Sequence, residues 1–164
     1  MTPDRIEKTI ILKATRERVW QAISDAAQFG TWFGVAFDGP FVAGGWLEGR
    51  ITPTQVDADV AKLQEPMRGM PFKILVETIE PMERLSFRWH PFAIEPDVDY
   101  SNEPMTLVSF DLGGVDGGIV LTITESGFDQ IPETRRAQAF QANDGGWAHQ
   151  ARLIETYLAI GEQA

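Results

Sequence analysis

The sequence contains no cysteine among its 164 residues. This absence excludes a disulfide framework, a thiolate nucleophile, a cysteine-ligated zinc site and an iron–sulfur cluster. Basic side chains are also scarce, since 14 Lys and Arg stand against 24 Asp and Glu and give a formal net charge of −10. Because so acidic a surface repels phosphate groups, neither nucleic acid nor an anionic membrane is an expected partner.

Long apolar runs and targeting signals are missing as well. No hydrophobic stretch approaches the roughly 18 residues of a membrane-spanning helix. Residues 1–5 lack the basic, apolar and small-residue succession of a signal peptide. We therefore expect a cytoplasmic protein. A chain of 164 residues, 43% of them hydrophobic, can bury one sizeable core, which predicts a single domain over residues 1–164.

Alternating hydrophobic residues predict a sheet. The predicted strands span residues 5–13, 35–38, 46–52, 72–80, 85–90, 105–112 and 119–125. Thr15 and Asp25 are typical N-caps, so two short helices are expected after the first strand. A long amphipathic segment from Glu133 to Ile160 predicts one C-terminal helix. The short turns between strands favour an α+β fold, in which a curved antiparallel sheet of six to seven strands wraps around that helix.

Two local questions stay open in the sequence. Gly145 and Gly146 are poor helix formers and interrupt the C-terminal helix. A kink, or a fresh helix start capped by Asn143 or Asp144, is favoured there over the close approach of a ligand. The register of strand 46–52 is ambiguous, because either Trp46, Glu48 and Arg50 face outward or a Glu–Arg pair lies inside. In the outward case, segment 53–69 is expected to cover Trp46.

Four stretches of the chain resemble the helix-grip superfamily, which is also called START-like or SRPBCC. They are residues 14–23, Trp32-Phe33, Gly44-Gly45-Trp46, and residues 124–128 taken together with Gly146-Trp147 through Tyr157-Leu158. Within that superfamily, the chain is most similar to the group that resembles the C-terminal domain of the activator of Hsp90 ATPase. The resemblance implies a cavity between helix and sheet. Members bind lipids, hormones, polyketides and other apolar molecules, and some are enzymes. It does not imply a chaperone partner.

The inner face of the predicted sheet and helix is rich in aromatic residues and poor in polar ones, which is typical of a ligand pocket. The expected walls are Trp32, Phe33, Phe87, Trp89, Phe110, Ile123, Trp147, Ala151 and Ile154. Gln150 and Tyr157 are the expected polar anchors. Binding of a small apolar molecule is therefore the preferred function, by a monomer or homodimer and without a cofactor. Two other functions remain open: catalysis in the same cavity, and an interaction module that acts through an exposed apolar patch.

Glu125 is the candidate acid or base. It continues the register of Leu121 and Ile123, so it is expected to point towards the inner face, where it could act as an acid, a base or a hydrogen-bond anchor. Pairing with an arginine, or exposure at the strand end, is the favoured alternative. If the protein is a cyclase, dehydratase or hydrolase, replacing Glu125 by Gln is expected to abolish turnover and leave folding intact.

No metal site is expected. His90 and His149 show no metal-ligand spacing and are predicted to be surface residues. The acidic runs at residues 57–59 and 95–99 lack the glycine and closing glutamate of a calcium loop. The glycines at 113–118 lie between strands, so they do not indicate a phosphate-binding loop.

Overall fold

The computed structural model describes residues 4–92 and 98–162. Within them the strands are β1 (Arg5–Leu12), β2 (Val35–Phe37), β3 (Trp46–Ile51), β4 (Pro71–Glu80), β5 (Arg84–Trp89), β6 (Thr106–Val115) and β7 (Gly118–Ser126). The helices are α1 (Arg16–Ser24), α2 (Ala26–Phe33), α3 (Ala58–Gln64) and α4 (Glu133–Glu162). Short 3₁₀ turns follow α3 at Glu65–Met67 and β7 at Phe128–Gln130.

The strands form one antiparallel sheet in the order β1-β7-β6-β5-β4-β3-β2. The first strand therefore pairs with the last, and the other neighbours follow the order of the chain, with tight turns joining β4 to β5 and β6 to β7. α4 packs on β1 and on α2, across the concave side of the sheet. This arrangement confirms the predicted α+β fold with seven strands, two short helices after β1 and one long C-terminal helix.

Side-chain caps position the two short helices. The Thr15 hydroxyl accepts a hydrogen bond from the Arg18 N–H at 3.2 Å, and the Asp25 carboxylate accepts one from the Gln28 N–H at 3.1 Å. Both predicted N-caps are confirmed. α2 continues to Phe33 and ends at Gly34, whose φ of 104° is open to glycine at little cost. Phe33, the last residue of α2, is 6% exposed and belongs to the core.

The register of β3 is the outward one. Leu47 is 8% exposed, whereas Trp46 is 51% exposed. The Lys73 ammonium lies 4.5 Å from the centre of the Trp46 ring, in the position of a cation–π contact. The cover for Trp46 therefore comes from the neighbouring strand β4, and not from segment 53–69 as the sequence suggested.

The predicted interruption of the C-terminal helix is wrong, because α4 runs from Glu133 to Glu162 without a break. Asn143 caps nothing, since its amide donates to Glu125 instead. A Cβ atom added at Gly145 or Gly146 would meet no atom within 4 Å. The packing of the whole helix on the sheet outweighs the propensity cost of the two glycines, which is about 1 kcal/mol each.

The middle of the helix–sheet interface is a closely packed core. Phe87, Phe110, Ile123 and Ile154 are each no more than 1% exposed. Trp32 is fully buried, and its indole N–H donates to the Ala22 carbonyl at 2.8 Å. Among the described residues, no helix is long and apolar enough to cross a membrane. Space for another molecule therefore has to be sought at the ends of the interface.

Candidate functional site

A cleft of about 290 Å³ opens where β4 and β5 meet the segment after α3. Its walls are mainly apolar and include Met67, Met70, Phe72, Trp89, Phe92 and Tyr100. A second space of about 70 Å³, here called the inner chamber, is lined by Phe33, Trp89, Asn143, Gly146, Trp147 and Gln150. The cleft and the inner chamber share Trp89 and Asn143 as wall residues. The two spaces are therefore neighbours, and together they are here called the recess.

Glu125 lies behind the recess and contacts two of its wall residues, Trp89 and Trp147. It is 0% exposed. The indole N–H groups of Trp89 and Trp147 each donate to it at 2.8 Å. The Thr106 hydroxyl donates at 2.5 Å, and the Asn143 amide lies 3.0 and 3.1 Å from the two oxygens. The Glu125 side chain therefore faces inward. Its partners are these four neutral donors, and not the arginine or the solvent that the sequence favoured.

The donors around Glu125 define what its carboxylate can do. Indole and amide N–H groups only donate, so they match an ionised carboxylate, which only accepts. With both oxygens engaged, the carboxylate cannot take a substrate proton unless one of these bonds breaks. Its role in this structure is to fix Trp89 and Trp147, whose ring centres are 5.6 Å apart with 31° between their planes.

Two polar atoms at the recess are buried without a hydrogen-bond partner among the described residues. One is Gln150 Oε1, and the other is His90 Nδ1. The amide nitrogen of Gln150 does have a partner, because it donates to the Phe33 carbonyl at 3.1 Å. Folded proteins leave few such atoms unpaired. The recess therefore combines apolar walls with polar atoms that lack partners, as ligand sites commonly do.

His90 is half-buried and lines the cleft, so its prediction as an ordinary surface residue is wrong. Burial lowers the pKa of its imidazole from the usual 6.5, because the charged form loses hydration. The charges of Arg135 and Lys73 also lower this pKa, while Glu103 and Asp99 oppose the shift. The ring is therefore neutral at pH 7 and presents one donor and one acceptor nitrogen.

This shift makes stability depend on pH in a known direction. As the pH falls below about 6.5, the unfolded chain binds a proton at His90 before the folded chain does. We expect the free energy of unfolding to fall between pH 7 and pH 5, and to fall less in the variant His90→Gln. Urea denaturation at both pH values measures this. His149→Gln, at an exposed position of α4, is the control, and an equal slope in the two variants would contradict the expectation.

Arg135 on α4 binds the two chain segments that follow β5 and precede β6, at the edge of the cleft. Its guanidinium contacts the Glu103 carboxylate at 2.7 Å and donates to the carbonyls of Pro91 and Phe92 at 3.1 and 3.2 Å. It also lies 4.8 Å from the Tyr100 ring centre. Phe92 has a φ of 50°, which is unfavourable for a bulky residue and is held by such contacts.

The structure brings together four of the predicted site residues, namely Phe33, Trp89, Trp147 and Gln150. Six others belong to the packed core and do not line the recess: Trp32, Phe87, Phe110, Ile123, Ala151 and Ile154. Tyr157 lies elsewhere, because its hydroxyl donates to Gln28 of α2 at 3.1 Å. Burial raises the pKa of that hydroxyl above the usual 10.0.

Sequence reasoning missed several residues of the recess. Asn143 lies one helical turn before Trp147, and this i, i+4 spacing was a usable signal that both share a face. Met67 and Met70 come from an irregular segment, where no periodicity predicts which way a side chain points.

The larger groove of about 510 Å³ beside α2 and β2 is lined by neither of the residues with unpaired polar atoms, His90 and Gln150. The described residues contain no group of three side chains able to hold a metal ion.

A curved antiparallel sheet around one long helix, with an apolar recess at one end of their interface, defines a helix-grip protein. Residues 13–159 match the family described as "Activator of Hsp90 ATPase homolog 1-like protein". The chain belongs to this family. No curated protein matches it.

Solved structures share the fold. DynU16, from the dynemicin biosynthetic locus, is 23% identical with a TM-score of 0.67, over 97% of this chain and 48% of that one. The present chain thus spans about half the length of DynU16. A Mesorhizobium loti protein is 19% identical with a TM-score of 0.68, over 94% and 96% of the two chains. The Aha1 dimer of Colwellia psychrerythraea is 18% identical with a TM-score of 0.63, over 96% and 97%. At these identities the likeness shows the fold alone.

Proposed function

We propose that this protein binds a small, largely apolar, ring-containing molecule in the cleft and its inner chamber. The observation that carries the proposal is the recess itself. Two tryptophans fixed by a buried carboxylate form its floor, and two unpaired polar atoms, Gln150 Oε1 and His90 Nδ1, belong to its wall residues. Apolar walls with a few polar groups supply both the binding energy and the orientation of a ligand. A monomer or a homodimer fits this role.

Catalysis is the weaker candidate. An enzyme of the cyclase or hydrolase type needs an acid or base that reaches the substrate. Glu125, the residue proposed for that task, is enclosed by Trp89, Trp147, Thr106 and Asn143. A surface-acting interaction module, such as a chaperone-related one, gives no reason for the recess.

Filling the inner chamber tests the proposal. Gly146 lines this chamber, and its neighbour Gly145 is exposed on the same helix. We expect Gly146→Leu to lower the affinity for aromatic ligands at least about 100-fold, because the new side chain occupies space the ligand needs. Gly145→Leu gains the same helix propensity, about 1 kcal/mol, and leaves the chamber open.

The measurement is a screen of one- to three-ring aromatic compounds by thermal shift, followed by isothermal titration calorimetry on both variants. Binding retained by Gly145→Leu and lost by Gly146→Leu supports the site. Equal affinity in the two variants, or no binding by the wild-type protein across the screen, contradicts it.

A further inference from the structure

Two side-chain amides of the recess have orientations that their neighbours dictate. Asn143 Nδ2 lies 3.0 and 3.1 Å from the Glu125 oxygens, and Gln150 Nε2 lies 3.1 Å from the Phe33 carbonyl oxygen. Carboxylate and carbonyl oxygens accept hydrogen bonds, so each amide must turn its nitrogen towards them. This orientation turns each amide oxygen, which only accepts, away from these partners.

The two indole donors that line the inner chamber are already engaged. The indole N–H groups of Trp89 and Trp147 donate to Glu125. Lys73 is a wall residue of the cleft, but its ammonium lies 4.5 Å from the ring centre of exposed Trp46 and 3.9 Å from the carboxylate of exposed Glu48. The polar atom of the inner chamber's wall residues that is buried without a partner among the described residues is an acceptor, Gln150 Oε1.

We propose that the ligand is an apolar ring system that carries a hydrogen-bond donor, such as a phenol hydroxyl or a ring N–H, and that Gln150 Oε1 accepts this hydrogen bond. The inference rests on the proposed binding function and specifies its ligand. An analogue without the donor leaves the buried oxygen unpaired, which costs more than the bond itself contributes. A carboxylate ligand brings further acceptors and a negative charge to a chain whose net charge is already −10.

Three probes of nearly one shape separate these cases: 2-naphthol, 2-methoxynaphthalene and 2-naphthoate. Isothermal titration calorimetry on the wild-type protein is expected to give about 10-fold tighter binding of 2-naphthol than of its methyl ether. The carboxylate is expected to bind most weakly. In the variant Gln150→Met, which keeps the length of the side chain without the acceptor, the preference for 2-naphthol is expected to disappear. Gln141→Met, at an exposed position of α4, is the matched control.

The outcomes distinguish this inference from the proposed function. Equal affinity for 2-naphthol and its ether, or tightest binding of 2-naphthoate, would overturn the donor requirement while the recess remained a binding site. A preference that persists in Gln150→Met would remove Gln150 as the acceptor. If none of the three probes binds, both the inference and binding of aromatic rings at this site are contradicted.

Discussion

Replacing Glu125 by Ala is expected to lower the free energy of unfolding by about 3–5 kcal/mol. The substitution leaves the Trp147 indole and the Thr106 hydroxyl as buried donors without an acceptor, each costing about 1–3 kcal/mol, and it opens a cavity in the core. Small domains are stable by about 5–15 kcal/mol, so the variant keeps a measurable but much reduced stability. Urea denaturation followed by tryptophan fluorescence measures the change.

The matched control is Glu155→Ala, at an exposed position of α4, where a change within about 0.5 kcal/mol is expected. Equal stability of the two variants would show that the four donors find other partners. Glu125→Gln is also expected to destabilise the fold, because the new amide nitrogen then faces the indole N–H of Trp89 or Trp147, which only donates. Loss of turnover in Glu125→Gln therefore identifies a catalytic residue only if denaturation shows that the variant is still folded.

Replacing Arg135 by Ala is expected to lower the free energy of unfolding by about 1.5–3 kcal/mol, the range for hydrogen bonds to charged groups. The Arg135 and Glu103 side chains are only 20% and 18% exposed, so the carboxylate left behind is poorly hydrated. The carbonyls of Pro91 and Phe92 lose the same donor. We also expect weaker ligand binding, since Phe92 and Tyr100 line the cleft.

Two further variants sharpen the test of Arg135. Arg135→Lys keeps the charge, but an ammonium group cannot span a carboxylate and two carbonyls, so only part of the stability is expected to return. Arg152→Ala removes an exposed arginine of the same helix and is expected to change stability by less than about 0.5 kcal/mol. If Arg135→Ala is as stable as Arg152→Ala, the rim contacts contribute nothing in solution.

The order of the seven strands, α1, α2 and α4 was predictable because strand alternation, N-caps and turns are local signals. Thr15 and Asp25 behave as their capping chemistry requires. The continuity of α4 was not predictable from Gly145 and Gly146, since helix propensity describes an isolated helix and cannot register packing against a sheet.

The candidate site was predictable only in part, for a similar reason. Periodicity identifies the inner face, so Trp89, Trp147 and Gln150 could be found. It does not tell where along that face packing closes and where it opens, so it could not separate the fully buried Phe110 and Ile154 from the residues that line the recess. The four donors that bind Glu125 of β7 come from β5, β6 and α4. Because these residues are far apart in the sequence, no local pattern could predict the cluster.

The enclosure of Glu125 has a consequence for how such a domain can diversify. The carboxylate fixes the floor from inside the core, whereas Met67 and Met70 shape the mouth from a short connecting segment. Neither methionine contributes a donor to Glu125. Selection, or a designed library, can therefore change the mouth at these two positions and alter which molecules enter, while the framework that makes the chain foldable stays the same.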